Sequence, residues 1–262
     1  MSVSDVEAFY ERADDTRFLP TGYARGPWDA DAQHAGPPAA LLGLAVAPRP
    51  GMRVVRLTYE IMRPVPLRPL TVSRRVLRSG RSVELVEVAL TPDGGDEVMR
   101  ATALSMRAVP GSVPDVSPAP EAPGPEDASA AKFFPVPWEQ GYHTAMEVRF
   151  AAGSFLETGP ATAWMRMRVP LVAGEEITPL SRVLTAADSG NGVSAALDFH
   201  RYVFVNADLT VSLHRHPEGD WVCLDARTMV DGGGVGLAES ALHDTKGPLG
   251  RGTQSLYVAE RG

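Results

Sequence analysis

Asp188 is the side chain in this sequence that is best placed to act on a water molecule. It directly follows an apolar segment and is followed by Gly190, Asn191 and Gly192. A carboxylate at such a bend can hold or deprotonate water, and the glycines let another molecule approach the backbone closely. We therefore predict a site role for Asp188 and a substrate contact for Asn191. The alternative is that both residues only close the helix and cap the following turn.

A second candidate segment, Gln33-His34-Ala35-Gly36, precedes another apolar stretch. Backbone amides at the start of a helix can bind an oxyanion or a phosphate group. We therefore predict that Gly36 and His34 contact a substrate, and His34 is also a possible base. The alternative is a partly exposed loop histidine that caps local structure.

The elements that must position these residues are two helices and a series of strands. Helices are predicted over 36–45 and 178–187, each with a proline near its first turn, and Thr178 is a suitable cap. The first helix is apolar nearly all round, which predicts burial. Alternating patterns predict strands over 52–62, 70–77, 82–90, 97–107, 143–150, 161–169, 201–204, 209–214, 221–230 and 235–243. Each half therefore combines a buried helix with a following antiparallel meander.

A proline-rich stretch over 110–140 divides the chain into halves of similar size. Proline lacks a backbone donor and fixes φ, so this stretch is predicted to be a semi-extended linker between domains at 1–109 and 141–262. Two short matches relate the halves at nearly the same spacing: Leu-Thr-Val-Ser at 70–73 and 209–212, and Asp-Gly-Gly at 93–95 and 231–233. Together they indicate an internal duplication.

Composition excludes several classes of function. The chain has 262 residues with a net charge of −7, which disfavours nucleic acid as a partner. Its one cysteine, Cys223, lies in a predicted strand and is interpreted as a core residue. No apolar run is long enough to span a membrane, and no signal peptide is recognised, so we expect a cytoplasmic protein. Motifs for nucleotide cofactors, metal proteases and serine hydrolases are absent, and neither cofactor nor metal is predicted.

The sequence resembles the acyl-CoA thioesterase II family, and particularly its actinobacterial thioesterase-like branch. The resemblance extends over nearly the whole chain and is strongest at 70–107, 184–200 and 206–244. It implies an α+β double hotdog, in which two antiparallel sheets each wrap around a long buried helix and form one pseudo-dimeric unit. It further implies an acyl-CoA or other acyl thioester as substrate, and a homo-oligomer.

The resemblance also implies a catalytic group. In the family, an Asp, a Thr or Ser and a Gln hold the water that attacks the thioester carbonyl. Asp188 falls at the Asp position, Asn206 at the Thr or Ser position, and Glu239 at the Gln position. Asn206 can still donate and accept hydrogen bonds, whereas an ionised Glu239 only accepts them. Beside Asp188, Glu239 would form a carboxylate pair that can share one proton.

Two alternative functions remain open from the sequence. Hotdog hydratases and dehydratases act on enoyl thioesters and need a His/Asp or His/Glu pair at the helix, and the sequence shows no clear pair of this kind. A non-catalytic acyl-thioester binding protein is the other alternative, because Asn206 and Glu239 depart from the family pattern.

Overall fold

A computed structural model describes residues 6–117, 123–131 and 136–262. The helices are α1 (Gly36–Ala45), α2 (Tyr142–Ala145), α3 (Pro179–Ala187) and α4 (Gly190–Val193), and a 3₁₀ turn covers Gly22–Ala24. The strands are β1 (Tyr10–Arg12), β2 (Arg17–Pro20), β3 (Met52–Ile61), β4 (Leu70–Ser79), β5 (Val83–Pro92), β6 (Met99–Arg107), β7 (Ser129–Ala130), β8 (Met146–Ala152), β9 (Ala161–Met167), β10 (Tyr202–Asn206), β11 (Asp208–Leu213), β12 (Val222–Val230), β13 (Val235–Asp244) and β14 (Gly247–Glu260). No helix among the described residues is long and apolar enough to cross a bilayer.

The two predicted main helices are confirmed. Helix α1 covers the predicted 36–45, has prolines at its start and buries most of its length, as expected for a segment without a polar face. In α3 the Thr178 side chain accepts a hydrogen bond from the Ser181 amide at 3.1 Å, and Pro179 is the first helical residue. The start of α3 therefore follows from local capping chemistry, whereas α1 begins with prolines and without a side-chain cap.

The strands form one continuous antiparallel sheet, in which the strands of both halves are joined. The order is β1-β2-β4-β5-β6-β3-β11-β14-β13-β12-β9-β8-β7, and β10 pairs additionally with β14. The junction is the antiparallel pairing of β3 with β11, in which Thr58 lies opposite Thr210. Each of these strands is the open edge of its own half, and pairing satisfies backbone groups that would otherwise be unpaired.

The strand order is repeated in the two halves, although not in the register that the sequence matches indicated. The order β2-β4-β5-β6-β3 recurs as β9-β12-β13-β14-β11, with α1 and α3 at the same point of each half. The Leu-Thr-Val-Ser matches lie in β4 and β11, which are not equivalent in this order. The inference of a repeat is therefore supported by topology, whereas those residue matches are coincidental.

Helices α1 and α3 pack directly against each other. The backbone of Gly36 lies against the carbonyl of Thr185, and Gly43 lies against Leu184. Core residues from both halves form one apolar cluster, which includes Leu41, Leu57 and Leu184. The two halves thus share a core as well as a sheet.

Part of the predicted linker has defined contacts with the C-terminal strands. Strand β7 pairs with β8, the Trp164 indole donates to the carbonyl of Pro123 at 2.8 Å, and Arg149 donates to that of Pro125 at 3.0 Å. Pro118, Pro120 and Pro135, on which the linker prediction also rests, lie outside the described residues, as do residues 1–5, on which the expectation of no signal peptide rests.

Candidate active site

A cavity of about 400 Å³ lies where α1 begins and α3 ends. Aromatic and aliphatic side chains form most of its wall, including Trp28, Ile61, Phe155, Tyr202 and Phe204. Its polar lining includes His34, Asp188, Asn191 and Asn206. A largely apolar pocket with a few convergent polar groups is typical of a small-molecule site.

Asp188 is the most tightly held polar group of this cavity. It follows α3 directly and is only 6% exposed. Its Oδ1 accepts hydrogen bonds from Asn206 Nδ2 at 3.0 Å and from Gln254 Nε2 at 3.2 Å. Gln254 Nε2 also donates to the Asp188 backbone carbonyl at 3.0 Å, which fixes the carboxylate relative to its own main chain.

Gln254 is hydrogen-bonded to two other residues beside the cavity. Its Oε1 accepts from the Asn191 amide at 3.1 Å, and this N–H can only donate, so the orientation of the Gln254 amide is determined. Both Nε2 protons are then directed at Asp188. The side chain is 2% exposed, so Gln254 supports the site from behind.

His34 completes the group from the start of α1. Its Nδ1 lies 3.2 Å from Asp188 Oδ2 and 3.1 Å from the Gly36 amide. The imidazole stacks on the Tyr142 ring, with centroids 3.7 Å apart and planes 3° from parallel. Burial lowers the pKa of His34 below its ordinary value, and the charge of Asp188 opposes that shift only in part.

Tyr142 fixes the stacking surface for His34. Its hydroxyl donates to the Thr185 carbonyl at 2.8 Å and lies 2.9 Å from Ser189 Oγ. Burial raises the pKa of Tyr142, so the phenol stays protonated and continues to donate. The one-turn helix α2 that carries Tyr142 overlaps the start of the strand predicted over 143–150, and Thr144 stabilises this helix by accepting from the Gly141 amide at 3.2 Å.

Family models account for most of the sequence. Residues 24–106 match the N-terminal domain of acyl-CoA thioesterases, and residues 113–258 match the C-terminal domain. The chain belongs to the acyl-CoA thioesterase family. It is therefore a thioesterase, as the resemblance in the sequence implied. No curated protein matches this thioesterase significantly.

Solved structures agree with this thioesterase in fold. A candidate thioesterase II of Thermobifida fusca YX is 21% identical with a TM-score of 0.75, covering 98% of this chain and 100% of that one. A candidate thioesterase of Novosphingobium aromaticivorans is 25% identical with a TM-score of 0.73, covering 95% and 98%. A hot dog protein of Alicyclobacillus acidocaldarius is 18% identical with a TM-score of 0.72, covering 98% and 97%. The thioesterase thus has the hotdog fold.

Most of the residues predicted from sequence lie together in the thioesterase cavity. Asp188, Asn206, His34 and Asn191 all line it. Asn191 Oδ1 accepts from Thr228 Oγ1 at 3.4 Å. Gly36 is buried behind the wall with its amide directed at His34, and Ala35 is the neighbouring residue that faces the cavity.

Glu239 is not brought to Asp188. Strand alternation buries its neighbours Ala238 and Ser240 and directs Glu239 outward, where it forms an ion pair with Arg227. The amide that contacts Asp188 comes instead from Gln254, which lies opposite Ala238 on β14. No strand was predicted over the residues of β14. Alternating residues near its end, of which Leu256 and Val258 are buried, are the signal that could have found it.

The chemistry open to metal ions and to the cysteine can be assessed for the described residues of this thioesterase. They contain no cluster of three or more His, Cys, Asp or Glu side chains suited to a metal ion. Cys223 is fully buried in β12, and burial raises the pKa of its thiol to about 12. Such a thiol is a poor nucleophile at neutral pH. The polar lining of the cavity includes carboxylates, an imidazole, amides, the Ser189 hydroxyl and the guanidinium groups of Arg63 and Arg261.

Proposed function

We propose that the protein hydrolyses acyl-CoA thioesters to a free acid and CoA, using a water molecule bound beside Asp188. The observation that carries this proposal is the buried Asp188 carboxylate at the wall of an apolar cavity, held by Asn206 and Gln254. Thioester hydrolysis needs a proton acceptor near water and donors near the developing oxyanion. Carboxylate and amides together meet that need without a covalent intermediate.

Asn206 replaces the hydroxyl residue of the family and can take over its task. One proton of Nδ2 is used by Asp188 Oδ1. The second Nδ2 proton and the Oδ1 atom of Asn206 remain for a water molecule or a thioester carbonyl, since the residue lines the cavity. Gln254 takes the role that the sequence assigned to Glu239, because its donors contact the carboxylate.

Thiol release from acyl-CoAs of short to long chain tests the proposal. We expect Asp188→Asn and Asp188→Ala to lower kcat about 100- to 10,000-fold, the range typical of a lost general base. Asp220→Asn is a matched control, because this exposed Asp pairs with Arg182 away from the cavity. If wild-type enzyme binds acyl-CoA but releases no thiol, the non-catalytic binding alternative is favoured instead.

A hydratase or dehydratase is a second candidate because of one specific contact. His34 Nδ1 lies 3.2 Å from Asp188 Oδ2, which supplies the His/Asp pair that such chemistry requires. Addition of water to an enoyl-CoA would be measured as loss of the enoyl absorbance. Hydration without thiol release would replace the first proposal.

We also propose the double-hotdog arrangement, with domains at 1–109 and 141–262, in a cytoplasmic homo-oligomer. The repeated strand order supports two hotdog units that share one sheet. Exposed apolar side chains on the outer face, such as Leu237 and Tyr257, support self-association. Light scattering coupled to size-exclusion chromatography measures the oligomeric state, and a monomeric mass would refute the homo-oligomer.

A further inference from the structure

The exposure of the lining side chains shows which part of the cavity faces solvent. Trp28, Met62 and Val205 are 53%, 47% and 49% exposed, so they lie at the opening. Phe155 is 6% exposed and belongs to the apolar core, which places it at the buried end with Asp188. CoA is charged and larger than the cavity, so it must extend through the opening. The acyl chain is then left with the buried end.

The opening lies where β3 separates from β10. The Ile61 amide still donates to the Ala207 carbonyl at 2.9 Å, whereas the Met62 amide donates to the Val98 carbonyl at 3.0 Å. Strand β10 pairs with β14 and not with β3, and residues from both 61–64 and 202–206 line the cavity. A thioester can therefore enter between these two segments.

Polar groups at the buried end are bonded within the protein. Ser189 Oγ lies 2.9 Å from a buried tyrosine hydroxyl. The Asn191 amide donates to Gln254, and the Asn191 Oδ1 atom accepts from Thr228. Phe155 is the one apolar side chain with less than a tenth of its surface exposed among the described residues that line the cavity. The buried end is therefore suited to an alkyl chain.

Gly192 leaves room for that chain close to Asp188. It lines the cavity from α4, and a Cβ at this position would meet no atom within 4 Å. At Gly190, by contrast, a Cβ would lie 2.7 Å from Ser240 Oγ. Packing against neighbouring elements thus requires the glycine at 190 but not the one at 192. A side chain at Gly192 would instead take up free volume.

Phe155 is held at a fixed distance from Asp188. Its ring packs edge-on against Phe150, with centroids 4.9 Å apart and planes at 85°. The same loop is bonded to the segment after α4, because the Gly159 amide donates to the Ala195 carbonyl at 2.9 Å. Since α4 follows Asp188 almost directly, the fold fixes how far the buried end lies from the carboxylate.

The volume of the cavity limits the length of the chain. A methylene group takes up about as much space as a water molecule, about 30 Å³, so a cavity of about 400 Å³ corresponds to roughly a dozen such groups. The thioester, the reacting water and the end of the pantetheine arm need part of this space. What remains holds roughly eight acyl carbons and not a chain twice as long.

We propose that Phe155 and Gly192 determine the acyl length, and that the enzyme acts on medium-chain acyl thioesters. The end of the acyl chain lies against the Phe155 ring, and Gly192 keeps the space between this ring and Asp188 open. A longer chain would have to displace Phe155 from its contact with Phe150. This inference rests on the proposed hydrolysis and names its substrate class.

Two substitutions with opposite effects test the proposal by thiol release across a series of acyl-CoAs. Phe155→Ala extends the buried end, so kcat/KM for dodecanoyl-CoA relative to octanoyl-CoA should rise about tenfold or more. Gly192→Val fills the space beside Asp188, so kcat/KM for octanoyl-CoA relative to butanoyl-CoA should fall about tenfold or more. Leu156→Ala is the matched control, because Leu156 is 72% exposed on the same loop and should leave the profile unchanged.

Each outcome supports or overturns the proposal. Wild-type enzyme with its highest kcat/KM for palmitoyl-CoA refutes the medium-chain class. Folded variants that keep the wild-type profile refute the roles of Phe155 and Gly192. If Phe155→Ala does not fold, Phe155→Leu retains an apolar side chain and should shift the profile in the same direction, and an unchanged profile refutes the role of Phe155.

Failure of hydrolysis is a distinct result. Wild-type protein that releases no thiol from any acyl-CoA refutes the proposed function. Calorimetric titration with the same acyl-CoAs then decides the chain length. Tighter binding of octanoyl-CoA than of palmitoyl-CoA supports the proposal, and the reverse order overturns it.

Discussion

At the scale of single residues, the site depends on how completely Asp188 is surrounded by donors from separate elements. The donors are Asn206 from β10 and Gln254 from β14, and His34 from the segment before α1 lies 3.2 Å from the second carboxylate oxygen. Each donor removes a direction in which the carboxylate could rotate. The orientation of Asp188 is therefore a property of the assembled fold.

Gln254→Leu should lower kcat about 10- to 100-fold with little change in KM. The variant removes both donors to Asp188 and the acceptor for the Asn191 amide, so the carboxylate loses its orientation. Misplacement of a catalytic group by about 1 Å can cost about 100-fold in rate. KM should hold because Gln254 lies behind the cavity wall. Steady-state kinetics of thiol release measure both parameters.

Glu239→Gln tests whether Glu239, rather than Gln254, acts on Asp188. Its carboxylate pairs with Arg227 on the outer face, so the variant should retain wild-type kcat. If kcat falls as much in Glu239→Gln as in Gln254→Leu, the role of Gln254 in orienting Asp188 is contradicted.

Asp244→Ala should destabilise the protein by about 3 kcal/mol, because it leaves a half-buried arginine without its partner. Asp244 accepts two hydrogen bonds from Arg215 at 2.6 Å and others from the amides of Glu218 and Lys246. Urea unfolding of wild type and variant measures the difference. Glu260 forms an exposed pair with Arg201, so Glu260→Gln should change stability little. A loss of stability as large as that of Asp244→Ala would contradict the prediction.

The same carboxylate gives stability a defined pH dependence. Burial alone would raise the pKa of Asp244, but the bonds from Arg215 and the two amides outweigh it and hold the pKa below 3.8. Since the folded-state pKa is depressed, the stabilisation is present above pH 3.8 and is lost as the pH falls through the lowered value. In Asp244→Ala the free energy of unfolding should change less with pH in this range. An unchanged slope in acid would show that Asp244 is not the group responsible.

At the scale of elements, the close approach of α1 and α3 brings His34 to Asp188. Gly36 allows this approach, because a Cβ at this position would lie 2.2 Å from the Thr185 carbonyl oxygen. A backbone carbonyl in a packed helix cannot move aside cheaply. The two helices must therefore separate to admit any side chain there.

Gly36→Ala should cost about 3 kcal/mol of stability and lower kcat, whereas Gly43→Ala should be tolerated. At Gly43 a Cβ would meet the terminal methyl of Leu184 at 2.3 Å, which can rotate away, and alanine adds helix propensity of about 1 kcal/mol. Urea unfolding and thiol release on the two variants provide the comparison. Equal losses of stability and kcat in the two variants would show that the Thr185 carbonyl does not determine how closely the helices pack.

At the scale of the whole molecule, the sheet that crosses from β3 to β11 joins the two halves. Their side chains also belong to one apolar core. We therefore expect one cooperative unfolding transition in urea, with coincident midpoints by far-UV circular dichroism and by tryptophan fluorescence. Three of the four tryptophans follow residue 137, so fluorescence reports mainly on the second half. Two separate midpoints would show that the two halves unfold independently, which would refute this prediction.

The sequence alone was sufficient for the elements whose signal is local. Proline at the helix starts, Thr178 as a cap and the alternation of apolar residues predicted α1, α3 and most strands close to their observed bounds. The candidate residues Asp188 and His34 could also be found, because both stand at the ends of these helices. Local capping and periodicity depend on neighbours in the chain, which the sequence displays directly.

The tertiary structure decided which residues meet. Gln254 reaches Asp188 only because β14 lies between β11 and β13, and Glu239 turns away only because of its register on β13. A shift of one residue reverses the face on which a strand side chain lies, so the sequence could not distinguish these two positions. The same holds for His34 and Asp188, whose contact depends on the packing of two helices far apart in the chain.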